Sequence, residues 1–360
     1  MDTWATSSET PQINARWGEP KGPPRCPLPM SLRPQAHDII RTWAFYTILK
    51  SWIHHKALPW PDAMISGHVQ AAGGVKISKS KANAPVDPVA TVQKHGADAV
   101  RYWALSAKLG TDYVFSEEDV AGGRKLCVKL WNASRLVLGH LAGFDPAAPR
   151  APERPVDRGI RLRFAQTAAE ATDLLDAYEF GLAKKRVEEF FFGDLCDQWL
   201  EMAKDRLYDT SPESAAVRRS TQACAFDLLY GTLRLLSPFV PHVAEIVHQA
   251  HFRAATGEKV LSRAPWPKET RPATDDAGLA AFALATQALG SVRRWRSEQK
   301  VSPAKPLVRA RVSIPAAAQG SWPAVEADVK AAGRVQAFEA VAAPADALEA
   351  SVEVLEGPAA

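Results

Sequence analysis

Cysteine is scarce. There are four in 360 residues, Cys26, Cys127, Cys196 and Cys224, far apart and none in a Cys-x-x-Cys pair. That spacing argues against a zinc knuckle and a disulfide framework, and it fits a reducing cytoplasm. Long apolar runs are lacking too: none approaches the roughly 18–20 uninterrupted apolar residues of a membrane span, so no membrane partner is expected. The opening Met1-Asp2-Thr3-Trp4 has no basic stretch leading into an apolar one and does not read as a signal peptide. Neither sign of charge dominates. Lys and Arg number 44 against 40 Asp and Glu, a net charge of +4, which permits an RNA partner without demonstrating one. There is no internal repeat, and no sustained heptad pattern in the C-terminal tail. What is present is an apolar fraction of 46%, enough for real cores, on a chain long enough for two or three domains.

The most informative stretch is Lys76-Ile77-Ser78-Lys79-Ser80-Lys81. It follows Gly73-Gly74 and precedes Asn83, Pro85 and Pro88, so it is expected to be a loop. A Gly-hinged loop with closely spaced ammonium groups can close over a polyphosphate. There it meets the negative charge that develops during displacement at phosphorus. The same composition also suits a solvated basic turn.

Residues 1 to about 32 are short and punctuated by Pro11, Gly18, Pro20, Pro23, Pro24, Pro27 and Pro29, and read as irregular. A helix is expected from Pro34, with Ala36, Ile40, Trp43 and Thr47 as its inward face. Met64–Val69 and Gly73–Ile77 read as short strands, the second leading into the lysine loop; 88–95 and 97–108 read as helices. From about 116 to 252 the chain is helical. Ser116 and Asp119 form a capping pattern, and helices are expected near 158–178, 180–208, 214–237 and 240–252, a bundle of long antiparallel elements. Trp131, Phe190, Phe191, Phe192, Trp199 and Phe226 are expected in its core. After a linker over 256–275 comes a helix at about 276–300. The tail alternates like strands at Val308–Ile314 and Ser351–Leu355, with a short helix between.

The lysine loop resembles the Lys-Met-Ser-Lys-Ser signature of class I aminoacyl-tRNA synthetases, with Ile77 in place of Met. The sequences MDTWATSS, LRPQAHDIIRTW, GADAVRYW, KLWNASR, DQWLE, LLSPFVPH, APWP and VRRWRSEQKVSP, in that order over roughly residues 1–310, are similar to the valyl branch of that family. The resemblance implies a partial Rossmann-like α/β half-domain over 1–108 carrying the lysine loop. It further implies an all-α anticodon-binding bundle over 109–270, with a helix and a small α/β extension over 271–360. It implies ATP, with Mg2+, as a substrate, no protein-bound metal, and a valine tRNA as partner.

By position in the family's motifs, Trp4 would wall a pocket for a branched aliphatic side chain. Asp38 would hold the substrate ammonium and Ile39 would complete the pocket. Read without the resemblance, Asp38 is a helix N-terminal carboxylate, and Trp4 and Ile39 are core residues. Lys76 and Lys79 would bind the ATP phosphates and act in catalysis, with Ser78 and Ser80 supporting the loop. The basic clusters Arg124, Lys125 and Lys129, then Lys184, Lys185 and Arg186, then Arg293, Arg294 and Arg296 are candidates for tRNA contact; each also suits a solvated helix face.

The departures are as informative. The family's His-x-Gly-His motif is absent from the nine histidines here, and MDTWATSS matches a segment that in the family follows the inserted editing domain. The expectation is therefore the C-terminal half of a valine–tRNA ligase, incomplete without an N-terminal half carrying His-x-Gly-His. The rival is a tRNA-binding module of the same descent with no chemistry of its own. Ala82 stands where the family has glycine and would stiffen the loop.

Overall fold

A computed structural model describes residues 3–18, 28–71, 73–77, 87–267 and 275–358. It is mixed α/β and mostly helical. The N-terminal stretch holds two short helices, α1 (Thr3–Ser7) and α2 (Thr10–Asn14), where irregular chain was expected. Strand β1 (Leu32–Ala36) follows, then a 3-10 turn over His37–Ile39, a π segment over Ile40–Ala44 and helix α3 (Phe45–His55).

The helix expected from Pro34 is thus a strand for its first residues. Pro34 pairs opposite Met64 of β2 (Asp62–Ser66), in a parallel ladder running from Leu32↔Asp62 to Ala36↔Ser66. Proline has no N–H to give a ladder, and an outer strand position tolerates that. The apparent helical period straddled the junction, and only its later members, Trp43 and Thr47, lie on the buried face of the π segment and α3. Trp43 stacks on Trp60, 6.1 Å between ring centroids, and the Arg33 guanidinium lies 3.1 Å from the centre of the Trp43 ring. Burial there lowers the Arg33 pKa from its ordinary value. The other face of α3 is apolar and uncovered: Phe45, Ile48, Leu49, Trp52 and Ile53 are each at least 38% exposed.

β3 (Val69–Ala71) pairs antiparallel with β4 (Val75–Lys76) across the left-handed glycines Gly73 and Gly74, and parallel with β5 (Tyr113–Val114). Between β4 and β5 come α4 (Pro88–His95) and α5 (Ala97–Ala104). Asp87 caps the first of these, its Oδ1 accepting from the Val89 N–H at 3.3 Å.

The bundle begins with α6 (Glu117–Gly139), where Ser116 Oγ accepts from the Asp119 N–H at 3.1 Å and three carboxylates occupy the first turn. Helices α7 (Pro155–Asp176) and α8 (Phe180–Glu189) follow. A π segment over Phe190–Trp199 runs on into α9 (Leu200–Tyr208). Next come α10 (Ala215–Leu236), α11 (Pro241–Val247), a π segment over His248–Phe252, α12 (Arg253–Thr256) and α13 (Asp276–Glu298). Helices α7 and α13 approach closely because Gly159 has no side chain; a Cβ there would lie 2.3 Å from the Gly278 carbonyl oxygen. Of the aromatics expected inside, Phe190, Phe191 and Trp199 are fully buried and Phe192 and Phe226 pack against the core, but Trp131 is 45% exposed.

The tail forms a sheet of order β7-β6-β8, with β6 (Leu307–Ile314) parallel to β7 (Val335–Ala342) and antiparallel to β8 (Ser351–Glu356). Helix α14 (Trp322–Gly333) connects β6 to β7. One core joins this sheet to the bundle: Leu126, Phe164, Trp199, Leu233 and Leu289 share it with Val312, Ile314, Trp322 and Val325. Polar bonds cross the same junction. The buried Arg206 gives Asp157 two hydrogen bonds at 2.6 and 2.9 Å, and its Nε lies 3.0 Å from Asp328 of α14. Trp199 Nε1 also donates to Asp157, at 2.8 Å. Such a set is favourable only when each charge has its partners.

Candidate functional site

Parallel strands leave a crevice beyond their carboxyl ends, and ligands of open α/β sheets bind there. At the end of β1 the chain turns through His37, Asp38 and Ile39; at the end of β2 it turns through Gly67 and His68. The two turns meet. His68 Nε2 is 3.6 Å from Asp38 Oδ2, the His37 and His68 rings are 4.7 Å apart, and His37 Nδ1 is 3.3 Å from the Ser66 carbonyl oxygen.

Asp112 fixes the second turn from below. It accepts the His68 backbone N–H at 2.8 Å and Gln70 Nε2 at 2.7 Å. Its pKa is held below the ordinary carboxylate value, chiefly by that backbone hydrogen bond. The approach of these strands depends on Gly67, since a Cβ there would sit 2.1 Å from the Thr111 carbonyl oxygen. The result is a carboxylate, Asp38, with 45% of its side chain exposed, at the carboxyl ends of β1 and β2. It can accept hydrogen bonds from an ammonium group.

Trp4 lies on α1, which packs on the π segment that follows Ile39. Trp43 Nε1 of that segment donates to the Ser7 carbonyl at 2.9 Å, and Lys50 of α3 donates to the Ala5 carbonyl at 2.6 Å. Trp4, Asp38 and Ile39 therefore sit on neighbouring elements, in spite of their separation in sequence. Lys76 ends β4, paired to Gln70 in the strand that begins one residue after His68. Ser78, Lys79 and Ser80 lie outside the described residues. His37, Gly67, His68, Gln70 and Asp112 were not singled out from sequence. A glycine followed by histidine at a strand end is a faint signal, and the Asp112 contact has none, being made across more than forty residues.

The basic clusters divide once the helices are in place. Arg124, Lys125, Lys185 and Arg294 are exposed. Lys129 pairs with Asp197 at 3.2 Å, and Arg186 pairs with Glu170. Arg293 is half-buried and donates to Gln198 Oε1 at 3.2 Å. Lys184 and Arg296 correct the expectation: each is only 5% exposed. Arg296 donates to the carbonyls of Ser302 and Gly333, both at 3.0 Å, and Lys184 to Tyr102 and Ser106. They face the interior because they share helix stripes with Val187 and Val292. Among the described residues no three His, Cys, Asp or Glu side chains gather as a metal site, and no helix is long and apolar enough to cross a membrane.

Many known proteins are similar to this chain. A family model described as tRNA synthetases class I (I, L, M and V) matches residues 1–116, and one described as the anticodon-binding domain of tRNA ligase matches residues 157–314. The valine–tRNA ligase of Thermobifida fusca is 38% identical over all of this chain and 39% of its own length. That of Thermococcus kodakarensis is 36% identical over 84% of this chain and 34% of its own. The chain thus spans well under half the length of the curated relatives it matches.

Among solved structures, the LeuRS of Agrobacterium radiobacter K84, in a ternary complex with tRNA and LeuAMS, superposes on 78% of this chain and 33% of its own, with a TM-score of 0.55 at 20% identity. The methionyl-tRNA synthetase of Mycobacterium tuberculosis, in complex with methionyl-adenylate, superposes on 65% of this chain and 48% of its own, with a TM-score of 0.51, also at 20% identity. At that identity the likeness concerns the fold alone. The mixed α/β start, the helical bundle and these matches together place the chain in the class I aminoacyl-tRNA synthetase family, where it corresponds to the C-terminal part of valine–tRNA ligases.

Proposed function

We propose that this chain supplies the lysine-loop half of a cytoplasmic valine–tRNA ligase together with its tRNA-binding bundle, and that a segment carrying His-x-Gly-His completes the active site. The observation that carries the reading is the sharing of β3. That strand begins beside His68, which faces Asp38, and it pairs with the strand that ends in Lys76. That pairing supports an amino-acid site at Asp38 held in a fixed relation to the root of the lysine loop.

In the first step a carboxylate oxygen of valine attacks the α-phosphorus of ATP, and pyrophosphate, which leaves with Mg2+, takes the electron pair of the broken P–O bond. In the second a 3′-terminal hydroxyl of the tRNA attacks the carbonyl carbon of the valyl-adenylate, and AMP leaves. Asp38 would hold the valine ammonium, with Trp4 and Ile39 against its side chain. Lys76 and Lys79 would meet the phosphate charge as it builds, with Ser78 and Ser80 bracing the loop. Positioning and charge stabilisation, more than a protein acid or base, would carry the first step. Arg124, Lys125, Lys129, Lys185, Arg186, Arg293 and Arg294 would supply the tRNA contacts.

The second reading, a tRNA-binding module without chemistry, is favoured by the continuous core of the bundle and tail, which draws on no described residue before Tyr102. Valine-dependent ATP–pyrophosphate exchange separates the two. The chain by itself should show no exchange on the order of 1 per second. Adding a segment with His-x-Gly-His should restore it, and Lys79→Ala should then lower kcat far more than valine affinity. Full exchange by the unaided chain would overturn the half-site reading. No exchange in any combination favours the binding module.

A further inference from the structure

His68 is a titratable neighbour of Asp38 that the proposed chemistry leaves unused. Its Nε2 lies 3.6 Å from Asp38 Oδ2, and 26% of its side chain is open to solvent. That distance is too long for a hydrogen bond and short enough for an ion pair. A neutral imidazole there does little to the carboxylate, whereas an imidazolium offsets much of its charge. The contact changes character with a single proton, which sets it apart from a fixed structural bond.

The residue is held where it can act. The His68 N–H donates to Asp112 Oδ1 at 2.8 Å, and its carbonyl accepts the Tyr113 N–H at 2.9 Å, so its backbone is tied on both sides to the chain entering β5. One face of its ring lies against His37, 4.7 Å between centroids. His37 is fixed in turn. Its Nδ1 is 3.3 Å from the Ser66 carbonyl oxygen, which can only accept, so a proton belongs on Nδ1.

The titratable groups that the described residues set around His68 are Asp38 and His37, from the turn after β1, and Asp112, from the chain before β5. Lys76 and Tyr113 stand on the strands paired with β3. Both Asp112 oxygens already accept, one from the His68 N–H and one from Gln70. Asp38 is therefore the carboxylate left to pair with a charged ring.

We propose that His68 sets the affinity of this site for its amino acid: neutral, it leaves Asp38 to the substrate ammonium; protonated, it pairs with Asp38 and repels that ammonium. This rests on the reading of Asp38 as the group that holds the ammonium, and it adds a proton as the regulator of the site. His68 is a positioning residue, since it acts through Asp38. Two cations sharing one half-exposed carboxylate oppose each other enough to weaken binding about tenfold. An ordinary histidine changes charge near about pH 6.5, so affinity should fall as the solution is acidified through that region.

The test is valine-dependent ATP–pyrophosphate exchange by the full chain together with the His-x-Gly-His segment. KM for valine and kcat are read separately at about pH 8 and about pH 5.5, on either side of the histidine range. Two variants bracket the wild type, each checked by circular dichroism. His68→Gln cannot take up a proton, and His68→Lys keeps its charge at both pH values. The wild-type KM should match that of His68→Gln at the higher pH and stand about tenfold above it at the lower. His68→Lys should stand about tenfold above His68→Gln throughout. The pH dependence of kcat should be shared by all three, because His37 and the histidines of the added segment are common to them. Should His68→Gln not fold, wild type against His68→Lys carries the same information: a gap in KM at the higher pH that closes at the lower. A valine KM that depends on pH alike in wild type and His68→Gln overturns the role of His68 and leaves the active-site reading standing. Absence of exchange in every combination overturns that reading, and this inference with it.

Discussion

Lys184 shows how a single residue can be misjudged from a run of charges. It sits with Lys185 and Arg186 in sequence, yet its ammonium lies 3.4 Å from the centre of the Tyr102 ring. The Tyr102 hydroxyl in turn donates to Glu188 at 2.7 Å. Burial brings the Lys184 pKa down from 10.5 to about 8, against the upward pull of Glu188 and Asp119. The unfolded chain therefore holds a proton that the folded chain has released between about pH 8 and pH 10.5. Stability from this group must rise with pH across that window, not fall. Lys184→Met removes the effect. The stability of wild type relative to the variant should climb by up to about 3 kcal/mol across the window, read from urea denaturation at its two ends. A flat difference would show that the amine stays charged in place. The sequence did contain the warning. Lys184 shares a stripe with Val187, and Arg296 with Val292 and Leu289, so helical period marks both as inward while charge clustering marks them as outward. The partners of Asp38 had no such local trace, because His68 reaches it only through the pairing of β1 with β2.

At the scale of elements, the run Gly96-Ala97-Asp98-Ala99-Val100-Arg101-Tyr102-Trp103 turns out to be a joint. Asp98 of α5 accepts the backbone N–H groups of His242 and Val243, at 3.0 and 2.8 Å, and so caps α11 from another element. Arg101 donates to the Pro238 carbonyl at 2.9 Å. Two of the sequence runs similar to the family, this one and Leu235–His242, thus hold each other, and they tie the α/β half to the bundle. Asp98→Ala should cost about 3 kcal/mol, two charge-assisted bonds at roughly 1.5 each. Asp98→Asn, which keeps one acceptor, should cost about half of that. Thermal and urea unfolding of the two variants decides it, and a loss below about 1 kcal/mol for the alanine would mean that water replaces the carboxylate. Most helices were legible because their apolar stripes and caps are local: Ser116 with Asp119 and Asp87 before Pro88 mark their starts directly. β1 was not, because a proline and a helix-like period overlapped there. β7 was missed because three of the eight residues in Val335–Ala342 are alanine, and its strand state comes from the ladder with β6.

The whole molecule is uneven in how well it covers its apolar surface. From Tyr102 onward one core runs through the bundle into the tail sheet. The first part buries far less, and the outward face of α3 leaves Trp52 53% exposed, with Phe45 and Ile53 beside it in a similar state. The outer face of a crossover helix ordinarily meets solvent, so an apolar stripe of this kind marks a surface for another segment or chain. If the segment carrying His-x-Gly-His covers it, Trp52 belongs to the centre of the contact, where tryptophan is a frequent anchor. Trp52→Glu should then leave the stability of the chain itself within about 0.5 kcal/mol, as for other surface changes. It should also weaken association with the added segment by about thirtyfold, the loss of an anchor worth roughly 2 kcal/mol. Two measurements read this together: urea unfolding of the variant by itself, and the concentration of added segment needed for half-maximal pyrophosphate exchange. Equal half-points for variant and wild type would place the completing segment elsewhere. A large loss of stability in the isolated variant would instead mean that Trp52 already serves the fold of this chain, and that its exposed ring is not an interface in waiting.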